Sequence, residues 1–474
     1  MMRLEDKTPL LRPLQTPLDN IVSFYRYCWL NEKPWLLVVK VLMLVVALLA
    51  LLGDITDFID GSIVTRLVIG AGLLLPAIIT FIEFARNYES RFTSVEAVEG
   101  AFDDVQPHAA GWQRIDLQVQ NGVEPVFRCD AMDDMLWNGV PIPLERDTDY
   151  EKNLRRRIRN EAVWRDIYYP FLRHNHRAAM YQGKQFYNEK KYGLSQEIDP
   201  AAPRARVHKT CYFDTYLTNI IPGQQLTYNN GHREPVDAAV PGLLPYRVTG
   251  KGRQLYALGE QYTANELGVT TLLIMPNDYI RLWTQNRLAQ CSNGLLVASG
   301  SGSADWADCA GCIGDADGLR RAVIRGMERE LWEESNGLRA NERKRFANSV
   351  ETRITGYFRW LKKGGKSEFV GVSRLTDMGL VGNLSPEASE VFGGTDLPAG
   401  TVAELIAAVD AELQQQGDML CSRRCSVSCS MALYGLRRAC EGYCRTCPHY
   451  QNGCCAAEDC GARPYEVLFA GSRG

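Results

Sequence analysis

A short acidic stretch in the C-terminal half of the chain has the residue types and spacing of a cation-binding helix. Its sequence is GMERELWEESNGL, from Gly326 to Leu338. Glu330, Glu333 and Glu334 stand at positions i, i+3 and i+4, so on a helix they share one face. Carboxylates grouped in this way can hold a hard cation such as Mg²⁺ against the phosphates of a nucleotide. The alternative is a charged helix face that is exposed to solvent and binds nothing.

Two neighbours extend this predicted site. Arg329 can orient a carboxylate through a paired hydrogen bond. Gly326 lies one turn before Glu330, and glycine costs roughly 1 kcal/mol against alanine inside a helix, so we expect its missing side chain to make room for a ligand. The predicted metal- and nucleotide-binding residues are Arg329, Glu330, Glu333, Glu334 and Gly326, and none is assigned as catalytic. An apolar stripe predicted to face a sheet consists of Leu319, Val323, Met327 and Leu331.

The flanking sequence predicts the elements that must position this helix. Alternating apolar and polar residues predict strands in WQRIDLQVQ and VEPVFRCDA. Hairpins are predicted to turn at Pro276-Asn277-Asp278 and at Gly364-Gly365. NGLLVASGSGSADWADC predicts a strand that enters a loop rich in glycine and serine, and TVAELIAAVDAELQQQ predicts a late amphipathic helix. Strand, strand, loop, helix, strand, strand and helix in this order predict a mixed α/β sandwich.

The element order and the RELWEE core resemble the Nudix hydrolases over residues 250–415. The signature of that family is G-x5-E-x7-R-E-U-x-E-E-x-G-U, with U an aliphatic residue on a loop–helix–loop. Residues 329–334 match the core of the signature without a gap. The resemblance implies a Nudix-like fold, and it places Mg²⁺ as a cofactor at the acidic residues.

The rest of the signature departs from the family pattern. Its leading glycine falls on Asp315, and its lone glutamate falls on Arg321. If the loop carries an insertion, the glycine could come from elsewhere in the loop; the candidates are Gly300, Gly302 and Gly314. The departures favour a site that binds a nucleotide over one that cleaves it, and both remain open.

Two apolar runs near the N-terminus predict a transmembrane hairpin. They cover residues 35–53 and 67–85, and each is about long enough to cross a hydrocarbon core of ~30 Å. The connection DITDFIDGSI has aspartates but no Lys or Arg, whereas basic residues stand on both sides of the hairpin. This asymmetry predicts a two-helix protein of the inner membrane with both termini cytoplasmic. The alternative is a pair of buried helices.

The predicted fold class is a membrane-anchored α/β protein in which the two-helix hairpin precedes a cytoplasmic Nudix-like sandwich. The predicted divisions are a cytoplasmic tail (1–34), a transmembrane helix (35–53), an extracytoplasmic loop (54–66), a second transmembrane helix (67–85), a helical linker (86–100), an α+β region (101–249), the Nudix-like domain (250–415) and a Cys-rich tail (416–474).

This layout resembles the two-transmembrane Nudix effectors of CBASS, the cyclic-oligonucleotide-based antiphage defence. The resemblance implies that a cyclic oligonucleotide, made by a partner cyclic nucleotide synthase, binds the cytoplasmic domain. The hairpins would then form a homo-oligomer in the lipid bilayer and disrupt it, which causes abortive infection. The rival interpretation is a membrane-anchored, Mg²⁺-dependent hydrolase of a nucleoside diphosphate derivative.

A basic and aromatic stretch at residues 151–193 could meet phosphates and bases. Its candidates are Arg155, Arg156, Arg157, Arg159, Arg165, Arg173 and Arg177 with Tyr168, Tyr169 and Tyr181. The alternative is a solvated helix face. The net charge of −3 excludes a protein that coats nucleic acid through bulk positive charge.

The C-terminal region concentrates cysteine: nine of the 15 cysteines lie between Cys421 and Cys460. CRTCPH has a C-x2-C spacing, so the predicted zinc ligands are Cys440, Cys444, Cys447 and His449. The alternative is a tail translated in the wrong reading frame, with no selected structure.

Overall fold

The structure is a computed structural model. It describes residues 62, 92–95, 100–120, 122–181, 186, 188–228, 244–285, 294–335, 342–381, 391–416, 419–422, 424–446, 450–451, 454–455 and 461–470. The two apolar runs at 35–53 and 67–85 lie outside these residues, as does the predicted cytoplasmic tail at 1–34.

The helices argue against the predicted membrane anchor. Among those within the described ranges, none combines the length and the apolar character that crossing a membrane requires. The two longest are Gly318–Ser335 and Val427–Thr446, and both carry several arginines. This finding corrects the prediction of a membrane-anchored α/β fold with transmembrane helices, and with it the predicted multi-pass location in the inner membrane. The predicted lipid-bilayer partner depended on the same two runs.

The strands and helices alternate along the chain. The strands are β1 (Phe92–Val95), β2 (Trp112–Val119), β3 (Gly122–Cys129), β4 (Leu144–Arg146), β5 (Lys190–Leu194), β6 (Ala205–Cys211), β7 (Gln225–Tyr228), β8 (Tyr246–Thr249), β9 (Gly252–Leu255), β10 (Gly268–Ile274), β11 (Tyr279–Gln285), β12 (Leu296–Val297), β13 (Gly300–Ser303), β14 (Val350–Trp360), β15 (Lys366–Leu375), β16 (Val391–Pro398), β17 (Gln414–Gln416), β18 (Met419–Cys421), β19 (Tyr450–Gln451) and β20 (Cys454–Cys455). The α-helices are α1 (Asp130–Trp137), α2 (Thr148–Asn160), α3 (Tyr169–Tyr181), α4 (Tyr212–Thr215), α5 (Trp306–Ala310), α6 (Gly318–Ser335), α7 (Arg343–Ala347), α8 (Met378–Val381), α9 (Val402–Glu412), α10 (Val427–Thr446) and α11 (Pro464–Val467). Single π turns cover Trp164–Tyr168 and Tyr216–Ile220, and 3₁₀ turns cover Ile221–Gly223, Leu258–Glu260 and Leu361–Lys363.

One large curled sheet organises the molecule. Its strand order is β12-β11-β10-β15-β14-β3-β2-β18-β17, with β13 added on β10 and β16 on β11. The β10–β15 and β2–β18 pairs are parallel, and the other pairs of this sheet are antiparallel. The mixed α/β character predicted from the element order is therefore confirmed.

Helices cover both faces of the sheet. Successive residues of a strand point to opposite sides, so neighbouring residues of β15 belong to different cores. On β15, Val370 and Val372 belong to the core that includes α9 and α10. Phe369, which precedes Val370, belongs to the core on the other face, with α1 and α6. The acidic helix α6 therefore lies on one face of the sheet, and the cysteine-rich helix α10 covers the opposite face.

The turns and strands predicted from local sequence are present. The strands β2 and β3 correspond to the two predicted alternating segments. The β10–β11 hairpin turns at residues 276–278, where Asp278 has a φ of 65°. The β14–β15 hairpin turns at Gly364 and Gly365, whose φ angles of 65° and 67° favour glycine. The predicted late amphipathic helix is α9.

The linker predicted as helical at 86–100 is instead partly extended. Phe92–Val95 forms β1, which pairs antiparallel with β7, Gln225–Tyr228. The helix prediction for this segment was wrong because pairing with a distant strand overrides the local preference of a short polar segment.

A smaller sheet, β4-β6-β5, packs beside the large one and buries a polar cluster. Tyr150 of α2 donates its hydroxyl hydrogen to the Gln261 carbonyl, with an oxygen–oxygen distance of 2.5 Å. Its ring lies 4.3 Å from that of His208 on β6, whose Nδ1 is 3.0 Å from Ser195 Oγ. Burial lowers the pKa of His208 to about 3, so this imidazole is neutral in the folded chain.

The acidic helix approaches the sheet closely at β13. A Cβ added at Gly300 would lie 2.6 Å from both the backbone nitrogen and the Cα of Leu331. Leu319, Val323, Met327 and Leu331, the predicted sheet-facing stripe, are fully buried. Position 300 must therefore be glycine for α6 to pack this closely against β13, because any side chain would push the helix away.

We expect Gly300→Ala to lower the free energy of unfolding by about 1–3 kcal/mol, because the helix backbone must shift to accept the methyl group. The matched control is Gly442→Ala on α10, where an added Cβ has no atom within 4 Å. That substitution should stabilise by up to about 1 kcal/mol, since alanine favours a helix. Urea unfolding of both variants measures the difference. Equal stability of Gly300→Ala and wild type contradicts the close packing of β13 against α6.

His208 should make stability depend on pH. Its folded pKa is about 3 and its ordinary value is 6.5, so the stability is fully present above pH 6.5 and is lost as pH falls toward 3. At pH 5 the loss should be about 2 kcal/mol relative to a neutral residue. The measurement compares unfolding of wild type and His208→Asn at pH 7.5 and pH 5. The same pH dependence in both proteins contradicts a neutral, buried His208.

Candidate functional site

The acidic face of α6 closes against strand β13. Glu330 is 9% exposed, and a Cβ added at Gly302 would fall 2.4 Å from its carboxylate. The backbone N–H of Ser301 donates to Glu334 Oε2 at 2.8 Å. Gly302 therefore lies on strand β13 directly beside Glu330, where any side chain would collide with the carboxylate.

Arg329 connects the acidic residues to one another. Its Nη1 donates to Glu330 Oε1 and to Glu333 Oε2, each at 2.9 Å. Its Nε and Nη2 donate to Asp308 over 3.1–3.2 Å, and Nη2 also donates to the Ser303 carbonyl at 3.0 Å. Only 9% of the Arg329 side chain is exposed. These contacts of Arg329 extend to two carboxylates of α6 and one of α5.

Two of the carboxylates around Arg329 come from the start of α5, and sequence reasoning missed them. Asp305 is the N-cap residue, and its backbone N–H donates to Asp308 Oδ2 at 2.8 Å. Asp308 Oδ2 then accepts from Arg329, and Asp305 Oδ2 lies 3.7 Å from Arg329 Nε. The spacing of an aspartate and a second acid three residues later is a helix-start signal, which could have identified both residues.

Lysines from other elements balance the remaining negative charge. The Nζ of Lys191 lies 2.7 Å from Asp305 and 2.8 Å from Glu189, and it donates to the Ser303 carbonyl at 3.3 Å. On β15, Lys366 pairs with the buried carboxylate of Glu368 at 3.0 Å. Buried carboxylates with cationic partners avoid most of the cost of an isolated buried charge.

Glu330 and Glu333 both have a raised pKa, but they differ in their exposure to solvent. Burial raises the pKa of Glu330 to about 7, and the charge of Arg329 opposes that effect. Burial also raises the pKa of Glu333, again against Arg329, although 49% of the Glu333 side chain is exposed. Glu330 is therefore the inner carboxylate and Glu333 the one that faces solvent.

Three further positions singled out in the sequence, Gly326, Asp315 and Arg321, contact other residues of the protein. Gly326 lies under Asp308 and Val269, which an added Cβ would meet at 3.4 and 3.5 Å. These are ordinary van der Waals distances, so the room that was expected for a ligand beside Gly326 is bounded by Asp308 and Val269. Asp315 and Arg321, where the family signature has glycine and glutamate, form an ion pair with each other at the surface.

The chemistry of the donors suits a hard cation. The carboxylates of Glu330, Glu333 and Glu334 supply oxygen atoms, the ligands that Mg²⁺ prefers. In the described residues, no group of three or more His, Cys, Asp or Glu is arranged as a metal site. Glu330 and Glu333 point to Arg329 instead. Occupation by a cation therefore requires that these two carboxylates exchange the guanidinium for the metal.

The cysteine-rich tail contributes to the core. On α10, Cys429 and Cys440 are fully buried and Cys444 nearly so, and burial raises the pKa of Cys440 to about 12. The predicted ligands Cys447 and His449 lie outside the described residues, so the zinc site stays a prediction. The alternative of a tail without structure does not describe α10, which packs on the sheet.

Several side chains of the basic and aromatic stretch at residues 151–193 are buried or paired within the protein. Tyr168 is buried, and the His176 ring packs against the rings of Phe186 and Phe213. Arg157 pairs with Glu161 at 2.7 Å. The side chains of His174 and Tyr181 are outside the described part.

No protein-family description matches this chain, and no curated protein does. Among solved structures, one with a significant match is the crystal structure of DR0079 from Deinococcus radiodurans, with 14% sequence identity and a TM-score of 0.21. The match covers 36% of this chain and 81% of that chain.

We expect Arg329→Met to lower the free energy of unfolding by about 3–5 kcal/mol, because Asp308 and Glu330 would remain buried without their cation. The matched control is Arg321→Met on the same helix, which loses only an exposed pair and should cost at most about 1 kcal/mol. Urea unfolding followed by circular dichroism measures both. Equal effects of the two substitutions contradict the central position of Arg329.

Proposed function

We propose that this chain is a nucleotide sensor whose ligand binds at the acidic face of α6. The observation that carries the proposal is that Arg329 gathers Glu330 and Glu333 beside the glycine strand β13. Strand β13 approaches the carboxylates with its backbone: the Ser301 N–H donates to Glu334, and the Ser303 carbonyl accepts from Arg329. We further propose that the ligand is a cyclic oligonucleotide made by a partner synthase, as in the CBASS effectors that the sequence resembles.

A divalent cation is part of this proposal. Glu330, Glu333 and Glu334 would hold Mg²⁺, which would neutralise and orient phosphate oxygens. Arg329 keeps Asp308 and the Ser303 carbonyl as partners when the carboxylates of α6 turn away from it. The arginine would thus stay in place beside the site and add a positive charge for the phosphates.

Hydrolysis is the second candidate, and one observation favours it. The pKa of Glu330, raised to about 7 by burial, is suited to accept a proton near neutral pH. The reaction would be cleavage of a nucleoside diphosphate derivative. Against it stands Arg321, at the position of the family's lone glutamate, which is engaged with Asp315. Binding without turnover is therefore the function that these residues support best.

The test uses the full chain, titrated by calorimetry with cyclic di- and trinucleotides and with ADP-ribose, each with and without Mg²⁺. We expect one cyclic nucleotide to bind in Mg²⁺, and we expect chromatography of the same samples to show no product. Turnover of ADP-ribose without any cyclic ligand would overturn sensing and support the hydrolase.

Glu333→Gln should weaken Mg²⁺-dependent binding by at least about tenfold, since it removes one charged ligand at the exposed side of the site. The matched control is Glu328→Gln on the same helix, because the Glu328 carboxyl bonds Thr352 and faces away from the triad. Equal binding by wild type and Glu333→Gln would contradict a site on the acidic face.

A further inference from the structure

A cavity separate from the acidic site opens beside helix α2. Its volume is about 450 Å³, within the range of roughly 300–1,000 Å³ typical of small-molecule sites. One wall is α2, with Arg156, Arg157 and Asn160, and the other is the segment that carries Tyr256 and Tyr262. We call it the arginine–tyrosine cavity.

Tyr262 is an exposed aromatic ring on a fixed backbone. Tyr150 Oη donates a hydrogen bond to the carbonyl of the preceding residue, Gln261, at 2.5 Å. The N–H of the following residue, Thr263, donates to Tyr150 Oη at 3.1 Å. The Tyr262 ring lies 5.2 Å from the ring of Tyr150, yet 38% of Tyr262 is exposed. The buried Tyr150 thus fixes the residues on both sides of Tyr262, and the ring is presented to the cavity.

The acidic residues that line the cavity are already neutralised. Glu161 pairs with Arg157 at 2.7 Å, and the guanidinium of Arg157 also lies over the Trp164 ring at 4.8 Å. Glu260 pairs with Arg247 at 2.8 Å, and its second oxygen accepts from the Ala257 N–H at 2.8 Å. Neither carboxylate is therefore a strong source of negative charge in the cavity.

Arg156 lines the same cavity, and the ion pairs described above do not neutralise its positive charge. Its side chain is exposed, and its Nη2 donates to the Asn153 side-chain carbonyl at 2.8 Å. Within the described residues, its guanidinium forms no ion pair with a carboxylate. A guanidinium in this position can form two parallel hydrogen bonds with a phosphate.

We infer that the arginine–tyrosine cavity binds a nucleoside monophosphate. The base stacks on Tyr262, the phosphate pairs with Arg156, and the amides of Asn153 and Asn160 meet polar edges of the base or sugar. A plain anion would leave the tyrosine face unused, and an uncharged base would leave Arg156 unpaired. Because the cavity supplies its own positive charge, binding needs no divalent cation. This inference goes beyond the sensor proposed for the acidic face and does not rest on it.

The experiment titrates the full chain with AMP in the presence of EDTA and follows binding by calorimetry. We expect AMP to bind more tightly than adenosine and more tightly than inorganic phosphate. Arg156→Gln should weaken AMP binding by about tenfold and leave adenosine binding unchanged, because only the phosphate contact is lost. Tyr262→Ala should weaken both AMP and adenosine by about tenfold, because both stack their base on the ring.

The matched control is Arg155→Gln. Arg155 is the preceding residue on α2, but it pairs with Glu151 and lies outside the cavity lining. Melting temperatures of the variants show whether each still folds.

Three outcomes overturn the inference: no AMP binding by wild type at millimolar concentration, equal losses in Arg156→Gln and Arg155→Gln, or phosphate binding as tight as AMP binding. Glu333→Gln separates this inference from the sensor proposal. It should leave AMP binding in EDTA unchanged while it weakens Mg²⁺-dependent binding of a cyclic nucleotide, so either proposal can fail alone.

Discussion

The guanidinium of Arg329 is the interaction on which the candidate site depends. It bonds Asp308 of α5, Glu330 and Glu333 of α6, and the Ser303 carbonyl of β13. Without a cation at this point, the carboxylates would repel one another in a place where burial already disfavours their charged forms. One side chain therefore joins three elements, and it does so with charge-assisted hydrogen bonds, which are stronger than neutral ones.

The large sheet makes this arrangement possible. Strand β10 receives β13 on one edge and the parallel strand β15 on the other, so the glycine strand lies within reach of α6. Glycine at positions 300 and 302 removes the side chains that would separate strand and helix. On the opposite face, α9 and α10 close a second core, in which cysteines take the place of aliphatic residues. The acidic helix is thus seated on a sheet that is packed from both sides.

Under the two proposals above, the acidic face and the arginine–tyrosine cavity contact a nucleotide in different ways. The first offers hard oxygen atoms, which reach phosphate through a cation. The second offers a guanidinium and an aromatic face, which reach phosphate and base directly. Both depend on buried polar residues that set the position of exposed ones. Arg329 orients Glu333 in the first, and Tyr150 fixes the backbone beside Tyr262 in the second.

The sequence by itself determined the features that depend on near neighbours: the shared face of the triad, the buried stripe from Leu319 to Leu331, and the hairpin turns at Asp278 and at Gly364. The tertiary structure alone decided which residues complete the site, because Lys191 and Asp308 reach Arg329 and its partners only through folding of distant segments. It also decided that β1 pairs with β7, where local sequence favoured a helix. The physical reason is how far apart along the chain the interacting residues lie. Turn and helix preferences are set within a few residues, whereas ion pairs and strand pairing form between residues that only the closed chain brings together.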